Sequence, residues 1–460
     1  MAGVGSLPTL ESRPVNTMRI AFISANREQM PDAVVPLGLL HVMAATPARH
    51  EKLFWDLCFE SDPLATVAHN LRECCPDLVA IGLRNLQNMD YTNITTNLDA
   101  YRALVATVRA HSNVPIVLGG GGFSVTPRAL MEELGADFGI AGEGERAFPQ
   151  LLDELQRPEP GLQHVERLYY RADGKLRYSG DAANFLVLDD LPLPDRTVLS
   201  ERYYSEYGTE SLQTKRGCPL NCDYCTYPLL EGRKTRLRQP AKVADEFMAI
   251  GSRTGVEHVF IVDSVFNLPP HHAKDICREL VMRGNRTPWT SYISPVAFDD
   301  ELADLMVRAG AAGMEIGSDS GCDDILDRLR KGFRTDKIKR LAATAKAHGI
   351  KDCHSFILGT KGETLEHVER TLDFVEELEP FAAVMLVWID DQEVLDARAE
   401  LERRHFRDAV YELIGRRAAR QPRWVVPKLG YRFNPRAFAT LRKFGLRGPL
   451  WQHLDRAPTG

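Results

Sequence analysis

Three cysteines, Cys218, Cys222 and Cys225, fall within the stretch GCPLNCDYC at residues 217–225. The chain has nine cysteines in 460 residues, so this crowding reads as a ligand set rather than part of a disulfide framework. Three thiolates are one donor short of a structural zinc site, whose fourth ligand would have to come from elsewhere in the chain. An iron–sulfur cluster held by three thiolates, with one iron open to another ligand, fits the same residues. Taken alone, the cysteines leave both readings open.

Either centre needs a rigid frame. Residues 19–155 alternate apolar runs with helical patterns. RIAFISA (19–25), KLFWDL (52–57), DLVAIGL (77–83), VPIVLGGGG (114–122) and ADFGIAGEGE (136–145) read as strands or strand ends. PLGLLHVMAAT (36–46), LATVAHNLRECCP (64–76), LDAYRALVATVRAHS (98–112) and AFPQLLDELQR (147–157) read as helices. This order predicts a parallel, doubly wound, Rossmann-like α/β sheet that binds ligands at the C-terminal ends of its strands. Residues 156–205 read as a connection with a small hairpin around LYYRADGKLRY (168–178). Alternation resumes over 206–390. SLQTKRG (211–217), HVFIVDS (258–264), WTSYIS (289–294), GMEIGSD (313–319), KDCHSFILG (351–359) and AAVMLVWI (382–389) predict a partial (β/α)6 barrel. Residues 1–18 read as a disordered lead-in and 391–460 as a small, mostly helical, basic cap. From Arg403 to Arg456 there are 14 Lys+Arg against 3 Asp+Glu.

CxxxCxxC directly after a strand, with Tyr224 before the last cysteine, resembles the cluster loop of the radical S-adenosylmethionine (SAM) superfamily. IVDSVFN (261–267), EIGSDSG (315–321), KGFRTDKI (331–338) and FILGTKGET (356–364) resemble that family's later segments in order and spacing, with Lys361 where the family usually has proline. PLGLLHV, PDLVAIGLRN, IVLGGGGFSVTP and GIAGEGERAFPQLL resemble the cobalamin-binding domain of the B12-dependent radical SAM enzymes. The resemblance covers roughly residues 19–390. It implies a [4Fe–4S] cluster on Cys218, Cys222 and Cys225, with SAM on the open iron. It implies SAM contacts from Asp263, Ser264, Asn267, Ser291, Glu315, Ser318, Ser320 and Leu358. Cobalamin contacts are implied for Arg84, Asn85, Gly119, Gly120, Gly121, Gly122, Gly142 and Glu143. The four glycines would let backbone approach a wide, flat corrin. The Asp-x-His-x-x-Gly motif that supplies a lower axial imidazole does not occur, and Arg84 is the candidate beneath the cobalt.

The implied activity is methylation of an unactivated carbon or phosphorus. One SAM would give its methyl group to reduced cobalamin, and a second would be cleaved at the cluster to a 5′-deoxyadenosyl radical. The alternative keeps the cofactors but performs a rearrangement, cyclisation or transfer of another SAM fragment. A methylthiotransferase would carry a second cysteine cluster, an arrangement that Cys58, Cys74 and Cys75 lack. Tyr292, Asp390 and Asp391, with Trp388, are the candidates for reaching the substrate. Cys322 and Cys353 read as packed thiols.

Net charge −6 argues against a general nucleic-acid binder. No apolar run approaches the roughly 18–20 residues of a membrane span. The N-terminal residues lack a secretory pattern, so a reducing, cytoplasmic setting is expected. The expected partners are a small-molecule substrate, with an anionic one suggested by the basic tail, and an electron donor such as flavodoxin or ferredoxin.

Overall fold

The computed structural model describes residues 16–86, 96–388, 397–421, 423–426 and 441–456. Asp390 and Asp391 lie outside the described residues, as do nearly all of the lead-in and parts of the basic tail.

The first sheet contains β1 (Arg19–Ser24), β2 (Glu51–Asp56), β3 (Leu78–Gly82), β4 (Ile116–Gly119), β5 (Phe138–Ile140), β6 (Leu168–Ala172) and β7 (Lys175–Tyr178). Its order is β2-β1-β3-β4-β5-β6-β7, with β1 to β5 parallel. Side chains alternate across β1: Ile20 and Phe22 enter the core on one face, Ala21 and Ile23 the core on the other. Helices therefore cover both faces, as the uninterrupted apolar strands require. The helix Pro63–Cys74 starts at Asp62, whose carboxylate accepts from the Ala65 amide at 3.0 Å, and ends on Cys75 in the left-handed region. The hairpin expected within the connection behaves differently. β6 pairs antiparallel with β5, so this sheet runs on to Tyr178.

The second sheet contains β8 (Thr209–Leu212), β11 (His258–Ile261), β12 (Trp289–Tyr292), β13 (Ala311–Asp319), β14 (Lys351–Leu358), β15 (Ala382–Val387) and β16 (Trp424–Val425). A separate ribbon joins β9 (Lys215–Arg216) to β10 (Arg236–Leu237). The second sheet is wholly parallel and open, in the order β16-β15-β14-β13-β12-β11-β8. Leu212, Val259, Ile261, Met314 and Ile316 pack against the helical layer, while their neighbours Ser211, Phe260 and Glu315 face an internal cavity. The predicted strand 211–217 breaks at Gln213, and its last residues turn into the ribbon that carries the cysteines. Among the described residues, no helix is long and apolar enough to cross a membrane.

Candidate active site

The cysteine loop leaves β9 through Gly217, where φ is +88° and a Cβ would stand 2.2 Å from the Lys234 carbonyl oxygen. Only glycine fits that approach. The Gly217 amide donates to Glu231 Oε2 at 3.0 Å, Cys218 N to the Gly232 carbonyl at 3.2 Å, and Asp223 N to the Leu329 carbonyl at 3.0 Å. Tyr224 turns its hydroxyl onto Asp319 Oδ2 at 2.5 Å. The buried Lys331 Nζ completes the group, 2.7 Å from Asp319 and 3.1 Å from the Tyr224 oxygen. Trp388 packs edge-on against Tyr224, so it belongs to this loop's surroundings.

Cys218 is buried, and Cys222 and Cys225 are half-buried. Burial pushes the Cys222 and Cys225 thiols up, and the Lys331 ammonium opposes that shift. A metal centre that displaces the thiol protons suits such a site. Among the described residues, no three His, Cys, Asp or Glu side chains converge as ligands of one ion would.

The side chains expected on the SAM side are largely committed to the frame. Asp263 accepts from Thr214 N at 2.7 Å and Thr214 Oγ1 at 2.5 Å. The Asn267 amide is satisfied by Ser294 and by the Ala297 carbonyl. Ser318 meets His354 Nδ1 at 2.7 Å, and Ser320 meets Thr371. Leu358 is core. Ser291 is fully buried with an unpartnered hydroxyl, and Ser264 is half-buried just beyond β11. In this structure the polar atoms of Asp263, Asn267, Ser318 and Ser320 hold the strand ends together.

A cavity of about 710 Å³ lies between the C-terminal ends of β1, β3, β4 and β5 and the inner face of the second sheet. It is lined by Arg84, Gly119, Gly120, Gly121, Gly142 and Glu143 from the first unit, and by Tyr292 and Glu315 from the second. Asn85 and Gly122 do not line it. The Asn85 amide donates to Glu28 at 3.3 Å, and a Cβ on Gly122 would stand 3.1 Å from the Arg84–Asn85 backbone. Gly120 has φ of +95°, and its Cβ would stand 2.6 Å from the Leu83 carbonyl oxygen. These two glycines are therefore required by the chain's own packing, whereas Gly119 and Gly121 leave room on the cavity side. Gly120→Ala is expected to cost about 1–3 kcal/mol, read by urea unfolding. A loss below about 0.5 kcal/mol would mean that the 83–85 loop yields freely.

Among the described residues, two buried polar atoms at the cavity wall have no hydrogen-bond partner, Asn26 Nδ2 and His41 Nδ1. Burial, aided by the Arg216 cation, lowers the His41 pKa to about 4, so its ring is neutral. Orphan polar atoms beside a glycine-lined wall suit a large ligand with a polar rim, and a corrin with its amide arms is one. Glu143 is already engaged. Arg216 bonds Glu143 at 2.9 Å and Glu145 at 2.5 Å, and Arg236 bonds Glu143 at 2.8 Å. All four side chains are nearly buried. Although burial pushes the Glu145 carboxyl up, Arg216 holds it below the usual range. This group joins the loop after β5 to the ribbon that carries the cysteines.

Glu315 lies on the cavity face of β13 and accepts from the Trp451 indole N–H at 2.8 Å. Burial raises its pKa to about 7, against the hydrogen bond from Trp451. Between the ordinary carboxyl range and about 7, the folded chain keeps a proton that the unfolded chain releases. Stability from this group therefore falls as pH rises through that window. Glu315→Gln is expected to flatten the melting-temperature profile between about pH 5 and pH 7, and an unchanged slope would show that this carboxyl does not titrate there.

The radical SAM superfamily model matches residues 212–375, and the B12 binding domain model matches residues 25–152. An uncharacterized methyltransferase of Pyrococcus horikoshii, PH0819, is 28% identical over 75% of this chain and 73% of its own length. The tryptophan 2-C-methyltransferase of Streptomyces laurentii is 27% identical over 78% of this chain and 70% of its own. The solved radical SAM methyltransferase TsrM of Kitasatospora setae, with tryptophan and a SAM analogue bound, has the same fold. Its TM-score is 0.81 at 20% identity, covering 97% of this chain and 99% of that one. The two models match in order along one polypeptide, B12 binding before radical SAM, and the relatives are named as methyltransferases, so the chain is similar to the cobalamin-dependent radical SAM methyltransferases.

Proposed function

We propose that this enzyme methylates a small, largely apolar molecule that presents an N–H or O–H group to Glu315. The observation that carries this reading is the half-buried Glu315 carboxyl, its pKa raised to about 7 by desolvation, on the cavity face of the second sheet beside Phe260, Val262, Val384 and Leu386. Such a group accepts a hydrogen bond or a proton near neutral pH. When bound, the [4Fe–4S] cluster, SAM and cobalamin supply radical generation and methyl relay. Cys218, Cys222 and Cys225 would hold the cluster. Gly119, Gly121, Asn26 and His41 would meet the corrin, with Arg84 as the cation beneath its metal. An external one-electron donor of the flavodoxin or ferredoxin kind would reduce the cluster.

An anionic substrate finds little support. The lining carries six carboxylates, Glu28, Asp32, Glu143, Glu145, Glu231 and Glu315, against the cations Arg84 and Arg216. The basic tail has its own acids: Arg417 pairs with Asp373, Arg442 with Asp32 and Arg447 with Glu257.

The test is anaerobic reconstitution with iron, sulfide and cobalamin, followed by turnover with methyl-labelled SAM. Tryptophan is the first probe, because a relative is named for it. A product heavier by one labelled methyl group supports the reading. A product of unchanged mass would support rearrangement, and retention of activity in Glu315→Gln would remove that carboxyl from the site.

A further inference from the structure

The C-terminal segment 441–456 packs onto the second sheet through its apolar residues. Leu441, Leu450, Trp451 and Leu454 join Cys353, Ala382 and Val425 in one buried cluster. Gly313 provides the slot: a Cβ there would stand 2.6 Å from Trp451 Cη2 and 2.9 Å from Gln452 Nε2. The segment is fastened on three sides. Gln452 Nε2 donates to Thr290 Oγ1 at 2.8 Å, Lys351 Nζ donates to the Gln452 carbonyl at 2.6 Å, and Arg442 pairs with Asp32. Phe381 packs edge-on against the Trp451 ring. Leu450 and Trp451 both line the cavity, and Trp451 is the hydrogen-bond donor to Glu315.

We propose that Trp451 is the floor of the substrate chamber, limiting how deeply a substrate enters and fixing the carboxyl it meets there. The inference rests on reading this cavity as the substrate chamber. Trp451 acts as a positioning and size-limiting residue. The indole lies against Gly313 of β13 at the cavity wall, and its N–H holds one oxygen of Glu315, leaving the other to a ligand. The remaining groups around this carboxyl are Asp32 with its partner Arg442, Cys353 on β14 and Tyr292 on β12. The indole N–H donates directly to this carboxyl, so removing it leaves the carboxylate less stabilised.

The test uses cofactor-loaded wild type, Trp451→Phe and Trp451→Ala, with indole as the probe. Calorimetry is expected to find one more indole bound per chain in Trp451→Ala than in wild type or Trp451→Phe, because a small side chain empties the slot and phenylalanine does not. Infrared difference spectra against Glu315→Gln follow the carboxyl band as pH is varied. The band is expected to titrate at higher pH in Trp451→Phe than in wild type. In Trp451→Ala, saturating indole is expected to move it back toward the wild-type position. Equal indole stoichiometry in all three proteins overturns the floor, and identical titration in wild type and Trp451→Phe overturns the positioning role. Should the alanine variant fail to fold, the phenylalanine arm still decides the second point, and Trp451→Val decides the first. Neither readout involves turnover, so failure of the inference is distinguishable from failure to observe methylation.

Discussion

Cys225→Ala, reconstituted anaerobically with iron, sulfide and cobalamin, is expected to lose the cluster's visible absorption and its electron paramagnetic resonance signal while retaining cobalamin. Two thiolates cannot hold a cluster that depends on three. Methyl transfer that depends on the cluster should fall to background. The fold should survive, because the loop is held independently of its thiols. The Asp223 amide binds Leu329, the Tyr224 hydroxyl binds Asp319, and Lys331 pairs with Asp319. Circular dichroism and gel filtration unchanged from wild type would confirm that survival. A full cluster signal in Cys225→Ala would overturn the assignment of this thiol.

Arg216→Ala should produce the largest loss of stability. The guanidinium is buried and bridges Glu143 and Glu145. Its removal leaves Glu143 with Arg236 but strands the buried Glu145. Breaking a buried ion pair from one side costs about 3–5 kcal/mol, since the remaining charge keeps its desolvation cost without its partner. Urea unfolding should show a loss of that size, and a change below about 1 kcal/mol would mean that water or rearrangement satisfies Glu145. Arg216→Lys should recover only part of it, because one ammonium cannot reproduce the two-carboxylate fork. Arg216 also sits two residues before Cys218. The same variant should therefore loosen the spacing between the two cofactor loops, seen as easier proteolysis of the 217–233 region.

Much of the fold was legible because its signals are local. Apolar runs such as RIAFIS and LVAIG, closed by small or turn-forming residues, mark buried parallel strands whether or not their partners are known. The cysteine loop was legible for the same reason, since its meaning lies in a spacing of a few residues. The hairpin at 168–178 was recognised but misplaced, because its sequence carries the turn and not the pairing with β5. The four glycines were read together as room for a ligand, but Gly120 and Gly122 are set by a loop nearly 40 residues earlier in the chain. Arg216 finds Glu145 across 71 residues, and Trp451 finds Glu315 across 136. No periodicity or motif encodes a contact at that distance. Glu315 itself stood in a recognised segment, where the resemblance implied a contact to SAM. Its role at the floor depended on a tryptophan in a tail that reads only as basic.

Domains that emerge first from the ribosome fold first. Here the sheet behind the corrin wall is complete at Tyr178 and the cysteine loop at Leu237, yet the carboxyl at the base of the cavity has no partner until Trp451 has been synthesised. A chain halted after β16 but before Trp451 would possess every residue that would hold a cofactor and an unsealed reaction space. The order of synthesis therefore makes closure later than the formation of the cofactor loops, so that a product halted there is an open vessel rather than a partial catalyst.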